Sequence, residues 1–345
     1  MLRGAVSGFG GVGKKFTRYV NRGEHARIVA AYDIAPTALA SARDEYGLAT
    51  ADSPDALCAM DIDFVIVSSV NAAHCEQVLA AAAAGVHVFC EKPIALTRAD
   101  ADAMVAAAEK AGIISAVNYG YRASLAHRWL KDAITAGRLG DLLALQYCSG
   151  RGYGLQAAGA RHPAVERPDL SGGWTVHHMC HGIDMAIWLA ESPVQRIYGV
   201  HRSTVLGEGK EEIVFGVATL GNGVTVQLSE WTGRLREKYY TAVGSAGTAI
   251  LHGEREKSVI RFHREGAEAE ENTTQVPIGK RKGGNIDYFL DCVRKGEPTS
   301  IDLAAGRNSL LAALALQESA RTGMVIEVSP TEPQPMGTTS PKSVV

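Results

Sequence analysis

The sequence carries no strong charge of either sign. Its 35 Lys and Arg stand against 37 Asp and Glu, a net charge of −2 in 345 residues. That balance excludes the electrostatic footprint of a nucleic-acid binder or of a protein held to an anionic membrane. Long apolar runs are missing as well. The alanine stretch from Ala80 to Ala84 is far too short to span a bilayer and is bounded by Gly85. Cysteine is sparse and unpatterned: the six residues at 58, 75, 90, 148, 180 and 292 have irregular spacing, and several lie inside apolar runs. Reduced, buried thiols in a cytosolic protein are therefore expected rather than a disulfide framework. No basic and apolar leader precedes the first strand, which is expected to begin at Leu2. No internal repeat is present. What remains is an ordinary globular composition, 46% hydrophobic and 21% charged, long enough for about two domains.

The first third alternates short apolar runs with helical patterns. Strands are predicted at Leu2–Ser7, Ile28–Tyr32, Phe64–Ser68, Val86–Cys90 and Ile113–Asn118. Helices are predicted at Pro36–Tyr46, Ala73–Ala84 and Thr97–Ala111, the last with Thr97 as N-cap and Gly112 just past its end. Strand–helix alternation of this kind predicts a parallel, doubly wound sheet. Near residue 120 the pattern changes. A helix over Ser124–Ala136 stops at Gly137, and another is predicted from Val176 to Leu189. Between Gln195 and Phe262 strands follow one another with turns, among them Gly221-Asn222-Gly223, a hairpin signal. Consecutive strands without helices predict an antiparallel or mixed sheet. Helices return at Gly284–Lys295 and Leu303–Thr322, before a last strand at Met324–Val328. The tail 329–345, rich in Pro, Thr and Ser, is expected to be mobile.

The first strand runs into Gly8-Phe9-Gly10-Gly11-Val12-Gly13, a G-x-G-x-x-G opening a helix. In such a loop the first glycine permits a tight turn, the second lets a pyrophosphate approach the backbone, and the third lets helix pack on strand. The helix N-terminus adds free N–H groups and partial positive charge. Asp33 ends the second strand, where an acidic residue hydrogen-bonds an adenosine ribose and repels a 2′-phosphate. The joint pattern predicts NAD rather than NADP as cofactor. Ser68, Ser69, Asn71 and His74 follow a parallel strand at its carboxyl end, where such sheets bind ligands. They are candidates for the nicotinamide side, with helix capping by Asn71 as the alternative. Glu91 and Lys92 close the next strand. A lysine aimed into a cleft there can polarise a substrate oxygen. A solvated surface pair is the alternative.

The segment Trp174-Thr175-Val176-His177-His178-Met179-Cys180-His181 holds three histidines in five residues. On a helix His177 and His181 share a face, and His178 points elsewhere. One imidazole is a natural proton acceptor from an alcohol. The pair could alternatively hold a metal, or simply be hydrogen-bonded interior side chains.

Together these motifs resemble the Gfo/Idh/MocA family of oxidoreductases (glucose–fructose oxidoreductase, inositol dehydrogenase). The resemblance covers nearly the whole chain. It rests on Gly8–Gly13, Ser69–His74, the Glu91-Lys92-Pro93 element within Phe89–Thr97, Ala136–Gly140, Gly173–Asp184 and Glu318–Gly323. It implies an N-terminal Rossmann domain, residues 1–120, and a C-terminal α/β domain on a large, mostly antiparallel sheet, residues 121–328. That sheet is implied to make homodimers or homotetramers. The implied activity is reversible hydride transfer at a ring hydroxyl of a sugar, glycoside or polyol. The family's catalytic Lys maps onto Lys92 and its catalytic His onto His181. Two positions depart from the family pattern: His177 stands where Asp is common, and Val70 where Pro is frequent. The first leaves redox-assisted glycoside cleavage, which some relatives perform, as an alternative. A non-catalytic NAD-binding regulator and a metal-assisted enzyme are the others, and the favoured reading needs no metal. Tyr121, Arg122, Arg151, Tyr153, Arg161, His162, Trp174 and His178 are candidates for substrate hydroxyls or an acidic group.

Overall fold

In a computed structural model, residues 1–151, 167–203, 211–232, 237–252, 258–262, 270–274 and 283–328 are described. Two sheets organise them. The first has six parallel strands in the order β3-β2-β1-β4-β5-β6. These are β1 (Leu2–Ser7), β2 (Ala26–Tyr32), β3 (Ala49–Thr50), β4 (Phe64–Val67), β5 (His87–Cys90) and β6 (Ser115–Val117). Phe64, Val65, Ile66 and Val67 are all buried, as a central strand covered on both faces requires. Helices α1 (Gly11–Val20), α2 (Pro36–Tyr46), α3 (Pro54–Cys58), α4 (His74–Ala83) and α5 (Arg98–Ala111) make the crossovers. The Thr97 hydroxyl accepts the Asp100 N–H at 3.1 Å, and Gly112 closes α5 at φ +64°. The strand order reverses between β1 and β4, so a crevice opens beyond their carboxyl ends. Such switch points are where open α/β sheets bind ligands.

The second sheet has nine strands in the order β14-β13-β12-β11-β7-β10-β9-β8-β15. They are β7 (Leu142–Arg151), β8 (Val194–Arg202), β9 (Ile213–Leu220), β10 (Thr225–Thr232), β11 (Glu237–Gly244), β12 (Gly247–His252), β13 (Ser258–Phe262), β14 (Glu270–Thr274) and β15 (Ile326–Glu327). Only β7 and β10 pair in parallel. The sequence places no strand over residues 142–151, yet β7 is at the centre of this sheet. Its exposed face carries the apolar Leu143, and Tyr147, Cys148 and Ser149 are buried in succession, so no clean polar alternation marks the strand. Among the described residues four further helices follow α6 (Leu125–Thr135): α7 (Pro168–Ser171), α8 (Cys180–Ala190), α9 (Gly284–Lys295) and α10 (Leu303–Thr322). Glycines let helix and sheet approach closely. A Cβ on Gly182 would overlap the Tyr147 ring, and one on Gly199 would overlap Leu316 of α10.

Helix α9 returns to the first sheet. Phe289 meets Phe64 and Phe89 at ring distances of 6.0 and 5.6 Å, and Ile286 and Leu290 are buried with them. The first sheet's core thus closes with residues from near the chain's end. Among the described residues no helix is long and apolar enough to cross a membrane.

Candidate active site

The glycine loop at the end of β1 is built for close backbone approach. Gly8 has φ +93°, and a Cβ there would overlap the backbone of Ser69. A Cβ on Gly13 would overlap the Gly8 carbonyl, which explains how tightly α1 seats on the strand. Gly10 and Gly11, by contrast, face open space, and no side chain caps the N-terminus of α1. Open backbone at a bare helix N-terminus fits the pyrophosphate of a dinucleotide. Val12 is exposed beside it. The Phe9 side chain is fully buried against Tyr46, so this residue offers only its backbone.

Asp33 has a role that spacing does not show. Its two carboxylate oxygens accept from the Phe9 N–H at 2.7 Å and the Ala35 N–H at 2.8 Å. It therefore pins the glycine loop to the end of β2 while remaining part-exposed at the crevice. Ser68 braces the same loop, its hydroxyl donating to the Gly8 carbonyl at 2.9 Å. Ser69 donates to Gln77 at 2.9 Å.

Lys92 follows β5 across from this loop, with a cis peptide to Pro93. Its ammonium donates to the backbone carbonyl of His177 at 2.9 Å. Asn71 ties the same two segments together. Its Nδ2 donates to the Lys92 carbonyl at 3.4 Å, and its Oδ1 faces His177 Nδ1 at 3.1 Å. An amide oxygen only accepts, so the His177 proton lies on Nδ1. Glu91 accepts from Asn118 at 2.7 Å and from the Lys92 N–H at 3.3 Å.

His74 is fully buried, with ring nitrogens 3.0 Å from the Pro93 carbonyl and 3.3 Å from the Ser69 carbonyl. Burial lowers its pKa to about 4, so it is neutral at pH 7. This corrects the expectation that it lines the nicotinamide side: it clasps the two loops from beneath.

The histidine segment is not a continuous α-helix. Gly172 and Gly173, at φ +85° and +81°, lead into a π-helical turn over Thr175–Met179, and α8 continues from Cys180. Inserted turns of this kind recur at functional sites. The Thr175 N–H at its start donates to Glu211 at 2.6 Å, and Gln317 donates to the other oxygen of that carboxylate at 2.6 Å. His177 and His181 stay half-buried, whereas Trp174 and His178 are buried with their rings 4.2 Å apart. Trp174 and His178 thus leave the set of substrate-contacting candidates and pack against each other in the interior.

Arg122 leaves that set too. Its guanidinium grips Asp184 of α8 with bonds of 2.9 and 2.6 Å, and both side chains are buried. A third donor reaches the Ser300 carbonyl at 3.0 Å. Burial pushes the Asp184 carboxyl up, and the guanidinium pulls against that. The pair locks the segment carrying Tyr121 to the helix carrying His181. Tyr153, Arg161 and His162 lie outside the described residues, as does the side chain of Arg151 and the tail 329–345.

Tyr121 stays part-exposed, its ring 5.0 Å from that of His181. Behind it lies a cluster the sequence does not reveal. His127 stacks on Tyr121 at 5.2 Å and 17°, and Tyr240 meets both rings edge-on. Lys238 of β11 donates to the Tyr121 hydroxyl. Burial above all, with Lys238 nearby, lowers the His127 pKa to about 3.

Lys92, His177, Asn71, His181 and Tyr121 thus gather where the crevice of the first sheet meets the helices of the second. Among the described residues no group of three or more His, Cys, Asp or Glu could hold a metal. Two family models match the chain. Residues 2–119 match an oxidoreductase family's NAD-binding Rossmann fold, and residues 131–328 match its C-terminal alpha/beta domain. The chain belongs to the Gfo/Idh/MocA oxidoreductase family. It is 31% identical to the 1,5-anhydro-D-fructose reductase of Ensifer adhaerens over 271 residues, 78% of this chain and 80% of that one. To the myo-inositol 2-dehydrogenase of Thermotoga maritima it is 26% identical over 337 residues, 92% of this chain and 96% of that one. Levoglucosan dehydrogenase in complex with NADH shares the fold, with a TM-score of 0.83 at 21% identity, covering 95% of this chain and 99% of that one.

Proposed function

We propose that this member of the family is an NAD(H)-dependent dehydrogenase or reductase acting on a ring hydroxyl of a sugar, glycoside or polyol. The observation that carries the reading is the bond from Lys92, at the end of β5, to the His177 carbonyl, one turn before His181. It brings a donor from the first sheet to the helix of the second that bears a half-buried imidazole. The substrate lies in that space. The Lys92 ammonium donates to the reacting oxygen and favours its anionic form. His181 takes the hydroxyl proton in oxidation and returns it in reduction. His177, held through Nδ1 by Asn71, orients the helix turn and can pass the proton onward. When bound, the nicotinamide supplies the hydride acceptor or donor. The names of the relatives, which act on an anhydro sugar and an inositol, support the substrate class.

Asp33 supports NAD over NADP, because a 2′-phosphate beside its carboxylate would be repelled. A boundary near residue 120 separates the dinucleotide-binding part from the rest. An open face of the second sheet supports a homodimer or homotetramer. Tyr198, Val200, Phe215 and Val217 stand side by side there, each between 41% and 52% exposed. None of the six cysteines is in a disulfide and five are buried, which supports a cytoplasmic location.

The test is a panel of sugars, inositols and anhydro sugars with NAD or NADH, read by absorbance and by product mass. The mass readout also detects cleavage without net NADH formation. Lys92→Ala should lower turnover about 10²–10⁴-fold, the usual worth of one acid–base group, with NADH binding retained. A loss under tenfold sinks the assignment.

A further inference from the structure

Lys238 projects from β11 toward the cleft and is half-buried. A half-buried ammonium is normally matched by a carboxylate, because desolvated charge is costly. Among the described residues no carboxylate pairs with Lys238; its hydrogen-bond partner is the Tyr121 hydroxyl, and its ammonium also stands 4.5 Å from the centre of that ring. Glu230, a buried carboxylate of β10, is engaged by the Tyr147 hydroxyl at 3.0 Å.

The donor arithmetic is simple. An ammonium has three N–H groups and accepts nothing. One goes to Tyr121, which leaves two. Tyr121 accepts that bond, and its hydroxyl also lies within hydrogen-bond reach of the Tyr240 hydroxyl. Two ammonium donors, and a positive charge that no carboxylate among the described residues offsets, thus lie beside His181. The arrangement is rigid, because the Tyr121 ring is held by His127, Tyr240 and His181 on separate sides. Neutral His127 cannot supply the missing negative charge.

We propose that Lys238 and Tyr121 form a subsite for a carboxylate carried on the substrate ring, which makes a sugar acid the preferred substrate class. The inference rests on the reading of this cleft as a carbohydrate dehydrogenase site, and it assigns Lys238 the role of specificity determinant. A carboxylate supplies a counter-charge and has lone pairs for both ammonium donors. Charge-assisted bonds of this kind are stronger than neutral ones and strengthen further where water is excluded.

The experiment uses the full chain saturated with NADH. Binding of D-glucuronate and D-galacturonate is compared with that of D-glucose and D-galactose by calorimetry, alongside turnover of the neutral panel. At least one uronate should bind about 10- to 100-fold tighter than its neutral counterpart, the range expected for a hydrogen bond to a charged group. Lys238→Met should abolish the preference, Lys238→Arg should keep most of it, and Tyr121→Phe should reduce it. NADH affinity reports that each variant is folded. Turnover of neutral sugars with no uronate preference, or a preference that survives Lys238→Met, overturns the subsite and leaves the dehydrogenase reading standing. Tight NADH binding with neither sugar binding nor turnover overturns the dehydrogenase reading itself, and the subsite with it.

Discussion

Removing the guanidinium of Arg122 should unfold this protein more readily than removing the whole ion pair. In the wild type Arg122 makes two bonds to Asp184, and the two side chains are only 7% and 1% exposed. Arg122→Met leaves the Asp184 carboxylate buried with little besides the Ser309 hydroxyl, at 3.4 Å. An uncompensated buried charge costs about 3–5 kcal/mol. At about 2–4 °C per kcal/mol, the melting temperature should fall by about 6–20 °C. Arg122→Met combined with Asp184→Leu removes both charges, and replacing a buried pair by apolar side chains is often neutral. The double variant should therefore regain most of the loss. The pH dependence supplies a second check. Burial already pushes the Asp184 carboxyl up, and without the guanidinium it rises further. Between its unfolded and folded pKa values the native state then binds more protons, so stability falls as pH rises. The deficit of Arg122→Met should shrink toward low pH. Thermal denaturation of the three proteins at pH 5 and pH 8 measures all of this. A double variant no more stable than Arg122→Met, or a deficit below about 1 kcal/mol, would refute the buried-charge argument.

Gly13→Ala forces a methyl group into the Gly8 carbonyl, so α1 must move off the strand and NADH affinity, read by fluorescence, should drop at least tenfold. Gly11→Ala meets open space and should bind NADH better than Gly13→Ala does. His127, with a pKa lowered to about 3, binds fewer protons folded than unfolded below pH 6.5, so its burial should cost about 2 kcal/mol by pH 5. His127→Phe should lose less stability than the wild type between pH 7 and pH 5, and an unchanged pH profile would contradict the burial. Val217→Lys on the open sheet face should convert the oligomer to monomer in sedimentation; a wild type that is already monomeric excludes that interface.

Much of the candidate site's layout was legible because it follows local backbone demands. Gly8, Gly10 and Gly13 follow a strand and open a helix, and the turn they make is needed wherever a phosphate meets a backbone. Lys92 and Asn71 follow β5 and β4, and parallel strands deliver their carboxyl ends to one edge whatever else the chain does. The caps at Thr97 and Gly112, and the bounds of α9 and α10, were readable for the same reason: capping and helical period act within a few residues.

Other properties have no local signature. Whether Arg122 greets a substrate or an aspartate depends on Asp184, sixty-two positions away, and the two meet only because α8 lies under the segment that follows β6. His74 reads as a cleft residue until the Pro93 loop folds over it. The strand β7 hides because an apolar Leu143 stands on its exposed face and Tyr147, Cys148 and Ser149 are buried in succession, which blurs the alternation of a half-wet strand. Lys238 looks like any surface lysine until β11 pairs with β7 and turns it toward Tyr121. The sequence by itself determined the fold class and the places of the glycine loop after β1 and of Lys92 after β5, since each follows from residues near in the chain. Tertiary structure alone decided which polar side chains are buried partners and which face the cleft, because desolvation and charge pairing are set by distances that no spacing encodes.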